Sequence, residues 1–154
     1  MKIKTELLVS NAMIAALYAV LTLSMAPISY GALQFRLSEI MTLIAFFNPN
    51  LILGLTVGCF IANLFSPLGI VDVIFGTTAT FLALFTMRYT KNIFTASLMP
   101  VVYNGIIIGL ELYLIENVPF IAGFLSVAAG EFVVVSIIGV CVFTLLKNTA
   151  LLKN

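Results

Sequence analysis

From Leu7 to Pro27 the chain runs without a charged side chain. A helix of about 20 apolar residues crosses the hydrocarbon core of a bilayer. The apolar region of a cleaved signal peptide is shorter, about 7–15 residues. The stretch is therefore read as a retained first span. Comparable runs recur along the chain, in which 62% of residues are hydrophobic and 8% charged. Soluble domains carry about 25% charged residues. A surface built from this composition would not dissolve, so the natural solvent is lipid.

Several function classes drop out on composition. A net charge of +1 leaves no basic footprint for nucleic acid. The absence of His removes the commonest general base and metal ligand. Trp is absent too, so an interfacial belt must rely on Tyr. Cys59 and Cys141 each sit alone in an apolar run, without a neighbour at metal-ligand spacing, and read as packing residues. No Ser/His/Asp set, HExxH motif or Walker A loop is present. The expectation is a non-enzyme with no cofactor and no metal.

Pro, Gly, Asn and charge divide the chain into six apolar segments, at about 7–25, 37–47, 51–65, 70–87, 93–115 and 120–146. No repeat or linker separates them, so residues 1–154 form one integral membrane domain. The second and third segments are short and could form one span broken by a re-entrant turn. The cations favour six crossings. Lys2 and Lys4, Arg88 and Lys91, and Lys147 and Lys153 all fall on the cytoplasmic side if six helices cross and both termini are inside. The fold expected is an all-α membrane protein with six transmembrane helices, in the cell membrane. Arg36 is then the one cation left on the outer side, which suits a ligand contact better than a topology signal.

Ionisable groups at membrane depth are expensive, so each needs a reason. Arg36, Glu39, Asp72, Glu111 and Glu131 are such groups, and Asn63 and Asn104 join them as amides. Six crossings place all of them in the outer half or near the midplane. That one-sidedness points to a water-accessible cavity opening outward. Four carboxylates facing one guanidinium favour a cationic or donor-rich ligand. A carboxylate also accepts two parallel N–H bonds. Arg36 would steady one acid, Glu39 or Asp72. The plainer readings are a local Arg36–Glu39 pair, a helix cap for Asp72, an interhelical bond for Asn104 and a solvated loop position for Glu116. On the first helix, Ala12, Ala15, Ala16 and Ala19 form two Ala-xxx-Ala pairs, which let another helix approach closely. Spacing alone suits packing within the chain equally well.

QFRLSE (34–39), GLTVGCFIANLFSP (54–67), GIVDVIFG (69–76), Asn104 in VVYNG and the Gly130-Glu131 pair together resemble the substrate-binding S components of energy-coupling factor transporters. Within that group the chain is most similar to the QueT family, predicted carriers of queuosine precursors. The resemblance implies a six-helix bundle, a transmembrane coupling subunit and two ATPases as partners, and docking of the coupling subunit on Ala12, Ala15, Ala16 and Ala19. It implies a 7-deazaguanine ligand, such as 7-aminomethyl-7-deazaguanine or queuine. The guanine-like edge would suit Glu131 or Glu111, and the cationic aminomethyl group Asp72 or Glu39. Asn104, Asn63 or Gln34 would serve the ring oxygen, with Tyr103 or Phe35 stacking on the ring. Alternatives are an S component for another flat vitamin, a membrane structural subunit without ligand, and a small intramembrane enzyme.

Overall fold

The computed structural model describes residues 5–30 and 35–146. Among them no strand occurs. Helix α1 spans Thr5–Ser24 and is followed by a one-turn helix, Ala26–Ser29. Helix α2 spans Leu37–Phe47, α3 Pro49–Asn63, α4 Ile70–Met87, α5 Ile93–Glu116 and α6 Phe120–Leu146. Helices α1, α4, α5 and α6 are long and apolar enough to cross a membrane, while α2 and α3 are shorter apolar helices. The chain is an all-α membrane protein. The six segments expected are present as helices, with ends within about two residues of those read from the sequence. Lys2, Lys4, Lys147, Lys153 and Gln34 lie outside the described residues.

The turns follow from local chemistry. Asn48 is extended (φ −138°), and its side chain accepts the Asn50 N–H at 3.2 Å, so Pro49 can open α3. Asn92 caps α5, its Oδ1 accepting the Thr95 N–H at 2.8 Å. Gly69 precedes α4 with φ 58° and ψ −126°, a region closed to residues bearing a Cβ. Asn117 ends α5 in the left-handed region that Asn tolerates.

Beyond the single 3-10 turn Pro49–Leu51 that opens α3, two helices depart from regular α geometry. The first seven residues of α2, Leu37–Leu43, wind as a 3-10 helix. With three residues per turn, Glu39 and Thr42 share one face, and both are buried. In α6 an eight-residue π segment, Phe132–Gly139, begins directly after Glu131. Neither departure is visible in the hydrophobic pattern.

Helices α1 and α3 run parallel. A Cβ on Gly54 would lie 2.6 Å from the Asn11 carbonyl, and one on Gly58 would lie 2.8 Å from the Ala15 carbonyl. Small residues at this crossing let the backbones touch, which substitutes for a hydrophobic driving force in lipid. Helices α5 and α6 close in the same way: a Cβ on Gly109 would lie 2.9 Å from the Phe124 backbone nitrogen. The α1 crossing divides the four alanines. Ala15 and Ala19 are buried inside the bundle, whereas Ala12 and Ala16 are exposed.

Candidate functional site

A cavity of about 490 Å³ opens at the bundle end that holds Tyr30, the α3–α4 turn and the α5–α6 turn. Small-molecule sites commonly measure about 300–1,000 Å³. Ser66, Pro67 and Leu68 form one wall, Gly123 and Ser126 of α6 another, and Asp72 reaches in from the first turn of α4. Asp72 is 3% exposed. It does not cap its helix. Its Oδ2 instead accepts the Ser66 hydroxyl, and its Oδ1 has no hydrogen-bond partner. Glu111 adjoins Asp72. It is fully buried, and no hydroxyl or amide serves either carboxyl oxygen; its hydrogen-bond neighbour is the Asp72 carboxyl, a contact that needs one shared proton. Glu116, exposed at the end of α5, lines the cavity as well, where the sequence suggested a solvated loop position.

Deeper in the bundle, Glu39 anchors a second polar group. Its Oε1 accepts from the Tyr18 hydroxyl of α1 and from Thr80 Oγ1 of α4 at 3.4 Å. The Cys59 thiol of α3 meets Thr80 Oγ1 at 3.3 Å, and Asn63 Nδ2 approaches Cys59 Sγ at 3.4 Å. Helices α1, α2, α3 and α4 thus share one network. Asn63 fits because Gly76 faces it; a Cβ there would come within 2.7 Å of Nδ2. Alongside, Thr22 and Ser38 bond through their hydroxyls at 2.6 Å, joining α1 to α2.

Arg36 is 8% exposed and stands between the two groups. Its Nη1 lies 3.9 Å from Cys59 Sγ, and its guanidinium carbon lies 5.5 Å from the centre of the Tyr30 ring. Glu39, Asp72, Glu111 and Glu131 all fall within its electrostatic reach. The local Arg36–Glu39 pair suggested by the spacing gives way to something different. Glu39 is held by hydroxyls, and one guanidinium serves four acids.

Glu131 and Asn104 form a third site. Both are buried, and Asn104 Nδ2 donates to Glu131 Oε1 at 2.7 Å. This is the interhelical bond between α5 and α6 that the sequence allowed for Asn104. Glu131 Oε2 has no partner. Glu131 follows Gly123, which lines the cavity, by eight residues. At 1.5 Å per residue it sits about 12 Å further along α6. It is 6% exposed and is not among the residues lining the cavity.

The sequence-derived residues therefore separate. Asp72 lines the cavity and Glu111 adjoins it. Arg36, Glu39 and Asn63 belong to the deeper network, and Asn104 and Glu131 to the third site. Tyr103 is half-buried and outside the cavity lining. Phe35 packs against the apolar core. Sequence reasoning missed Tyr18, Tyr30, Ser66 and Thr80, and it gave Cys59 a purely apolar role. A phenol in mid-span, as at Tyr18, is a usable signal, because a buried Tyr hydroxyl needs a partner. Among the described residues no group of three or more His, Cys, Asp or Glu is placed to hold a metal.

Known proteins were compared with this chain. The profile of the QueT transporter family matches residues 8–148. The Queuosine precursor transporter QueT of Lactococcus lactis subsp. cremoris (strain MG1363) is 37% identical over 147 residues, which cover 85% of this chain and 86% of that protein. No solved structure matches.

Proposed function

The chain belongs to the QueT transporter family, and from that premise we propose that it is the substrate-binding subunit of an energy-coupling factor importer, capturing a queuosine precursor from outside the cell. The similar Lactococcus protein bears the name of a queuosine precursor transporter, which supports this class of cargo. The observation that carries the reading is a cavity of suitable size beside buried carboxyl oxygens that no hydroxyl or amide of the protein serves. Leaving such groups unmatched costs about 1–3 kcal/mol each, and more when they are charged. A donor-rich ligand offsets that cost.

On this reading the cavity faces outward and both termini are cytoplasmic. Asp72 and Glu111 meet the donors of a 7-deazaguanine: the ring N–H and exocyclic amine, or a cationic aminomethyl group. Arg36 balances the surrounding acids from below. Glu39, Asn63, Asn104 and Glu131 hold the helices that shape the cavity floor, with Glu131 Oε2 and Asn63 Oδ1 still open to a donor. Gln34 remains a candidate ligand contact. Uptake draws on two separate ATPases through a transmembrane coupling subunit. That subunit docks on the α1 face, where Ala12 and Ala16 are exposed and Ala15 and Ala19 support them from within.

Mass spectrometry of small molecules that copurify with the protein tests the cargo. A 7-deazaguanine is expected. A different flat vitamin, such as a pyridoxine- or thiamine-like compound, would overturn the assignment of cargo while keeping the transporter class.

A further inference from the structure

Of the described residues lining the cavity, Tyr30 is the one with an aromatic ring. It follows the one-turn helix Ala26–Ser29, outside the membrane-length helices. Its hydroxyl is already committed, donating to the Ala62 carbonyl of α3 at 2.6 Å. That bond pins the far end of the ring to the bundle. The Arg36 guanidinium lies 5.5 Å from the ring centre, a cation–π distance. With its hydroxyl engaged and the Arg36 guanidinium over one face, the part of Tyr30 left to offer a ligand is its other ring face. Across the same cavity stands Asp72 with Oδ1 unpartnered. A flat ligand with donors on one edge is matched by this pair, the edge bonding to the carboxylate and the face lying on the ring.

We propose that Tyr30 is a ligand-binding residue, the aromatic plate on which the planar ring of the cargo stacks while its donor edge meets Asp72. This rests on the reading of the cavity as the cargo site. The tether to Ala62 and the guanidinium beside it fix the plate before the ligand arrives, which lowers the ordering cost of binding. Tyr103 and Phe35, the stacking candidates from sequence, take no part: neither lines the cavity.

The test uses the purified full chain and 7-aminomethyl-7-deazaguanine as probe, with affinity measured by calorimetry. Stacking of a base on an aromatic residue contributes enough that its loss weakens binding about ten- to hundred-fold. Tyr30→Leu is expected to show that loss. Tyr30→Phe keeps the plate and is expected to stay within about threefold of wild type. Because the chain has no Trp, Tyr30→Trp places a sole indole in the cavity, and saturating probe is expected to quench its fluorescence. A tether with a purely structural role would not produce that quenching. Near-wild-type affinity in Tyr30→Leu, or unchanged indole emission at saturation, overturns the proposal and leaves the cargo site standing. A wild-type chain that fails to bind the probe overturns the cargo reading, and the stacking role with it. Should Tyr30→Leu fail to fold, Tyr30→Trp decides the matter alone.

Discussion

Glu39 and Glu111 are both buried carboxyl groups in an apolar bundle, and their surroundings are opposite. Glu39 is 1% exposed and gives Oε1 to two hydroxyls, from helices on either side, while only its Oε2 lacks a partner. Glu111 is 0% exposed and has no hydroxyl or amide on either oxygen, only a second acid, Asp72, at hydrogen-bond range. The first arrangement stabilises the bundle, because each donor ties another helix to α2. The second opposes stability, since two acids crowded together in a low-dielectric interior cannot both ionise and have no hydroxyl or amide between them to offset their burial. Burial alone therefore does not mark a binding acid. Burial without a partner, beside a cavity, does.

The contrast can be broken from its structural side first. Glu39→Ala should give the largest loss of stability, about 3 kcal/mol or more, because it strands the Tyr18 and Thr80 hydroxyls and leaves a void. Chemical or thermal unfolding in detergent measures it. Glu111→Gln is expected to leave stability unchanged or raised, since it replaces one of two crowded acids with a neutral amide that can donate to Asp72. An equal loss in both variants would erase the distinction.

A smaller effect sharpens it. Tyr18→Phe removes one donor and should cost about 1–3 kcal/mol. In a double-mutant cycle with Glu39→Gln, the two changes should be strongly non-additive, because they touch the same bond. Smaller again, Thr80→Val should cost about 1 kcal/mol or less, its hydrogen bond to Glu39 being long at 3.4 Å.

How much of this was legible in the sequence differs by level. Helix positions were, because apolar runs of span length punctuated by Pro, Asn and Gly leave few alternatives in lipid. The acids at membrane depth were also legible, since a charge in an apolar run stands out. Their sorting into separate sites was not. Asp72 and Glu131 look alike in sequence, yet one lines a cavity and the other pairs with Asn104 about 12 Å further along α6. That sorting depends on which helices cross where, and the crossings are set by Gly54, Gly58 and Gly109. The Ala-xxx-Ala pattern was read as one docking face. The parallel α1–α3 crossing turns half of it inward. Cys59 looked apolar because its neighbours in sequence are; its neighbours in space are Arg36, Asn63 and Thr80. The 3-10 and π segments, Leu37–Leu43 and Phe132–Gly139, were not legible because each is only about two turns long, too short to fix a period of its own.

The central claim is that the cavity beside Asp72 and Glu111 receives the cargo. Calorimetric binding of 7-aminomethyl-7-deazaguanine to Asp72→Asn, set against wild type, addresses it most directly. Loss of one charge-assisted contact should weaken binding about ten- to hundred-fold while the variant melts at or above the wild-type temperature. Undiminished affinity in Asp72→Asn would place the cargo elsewhere and contradict the account.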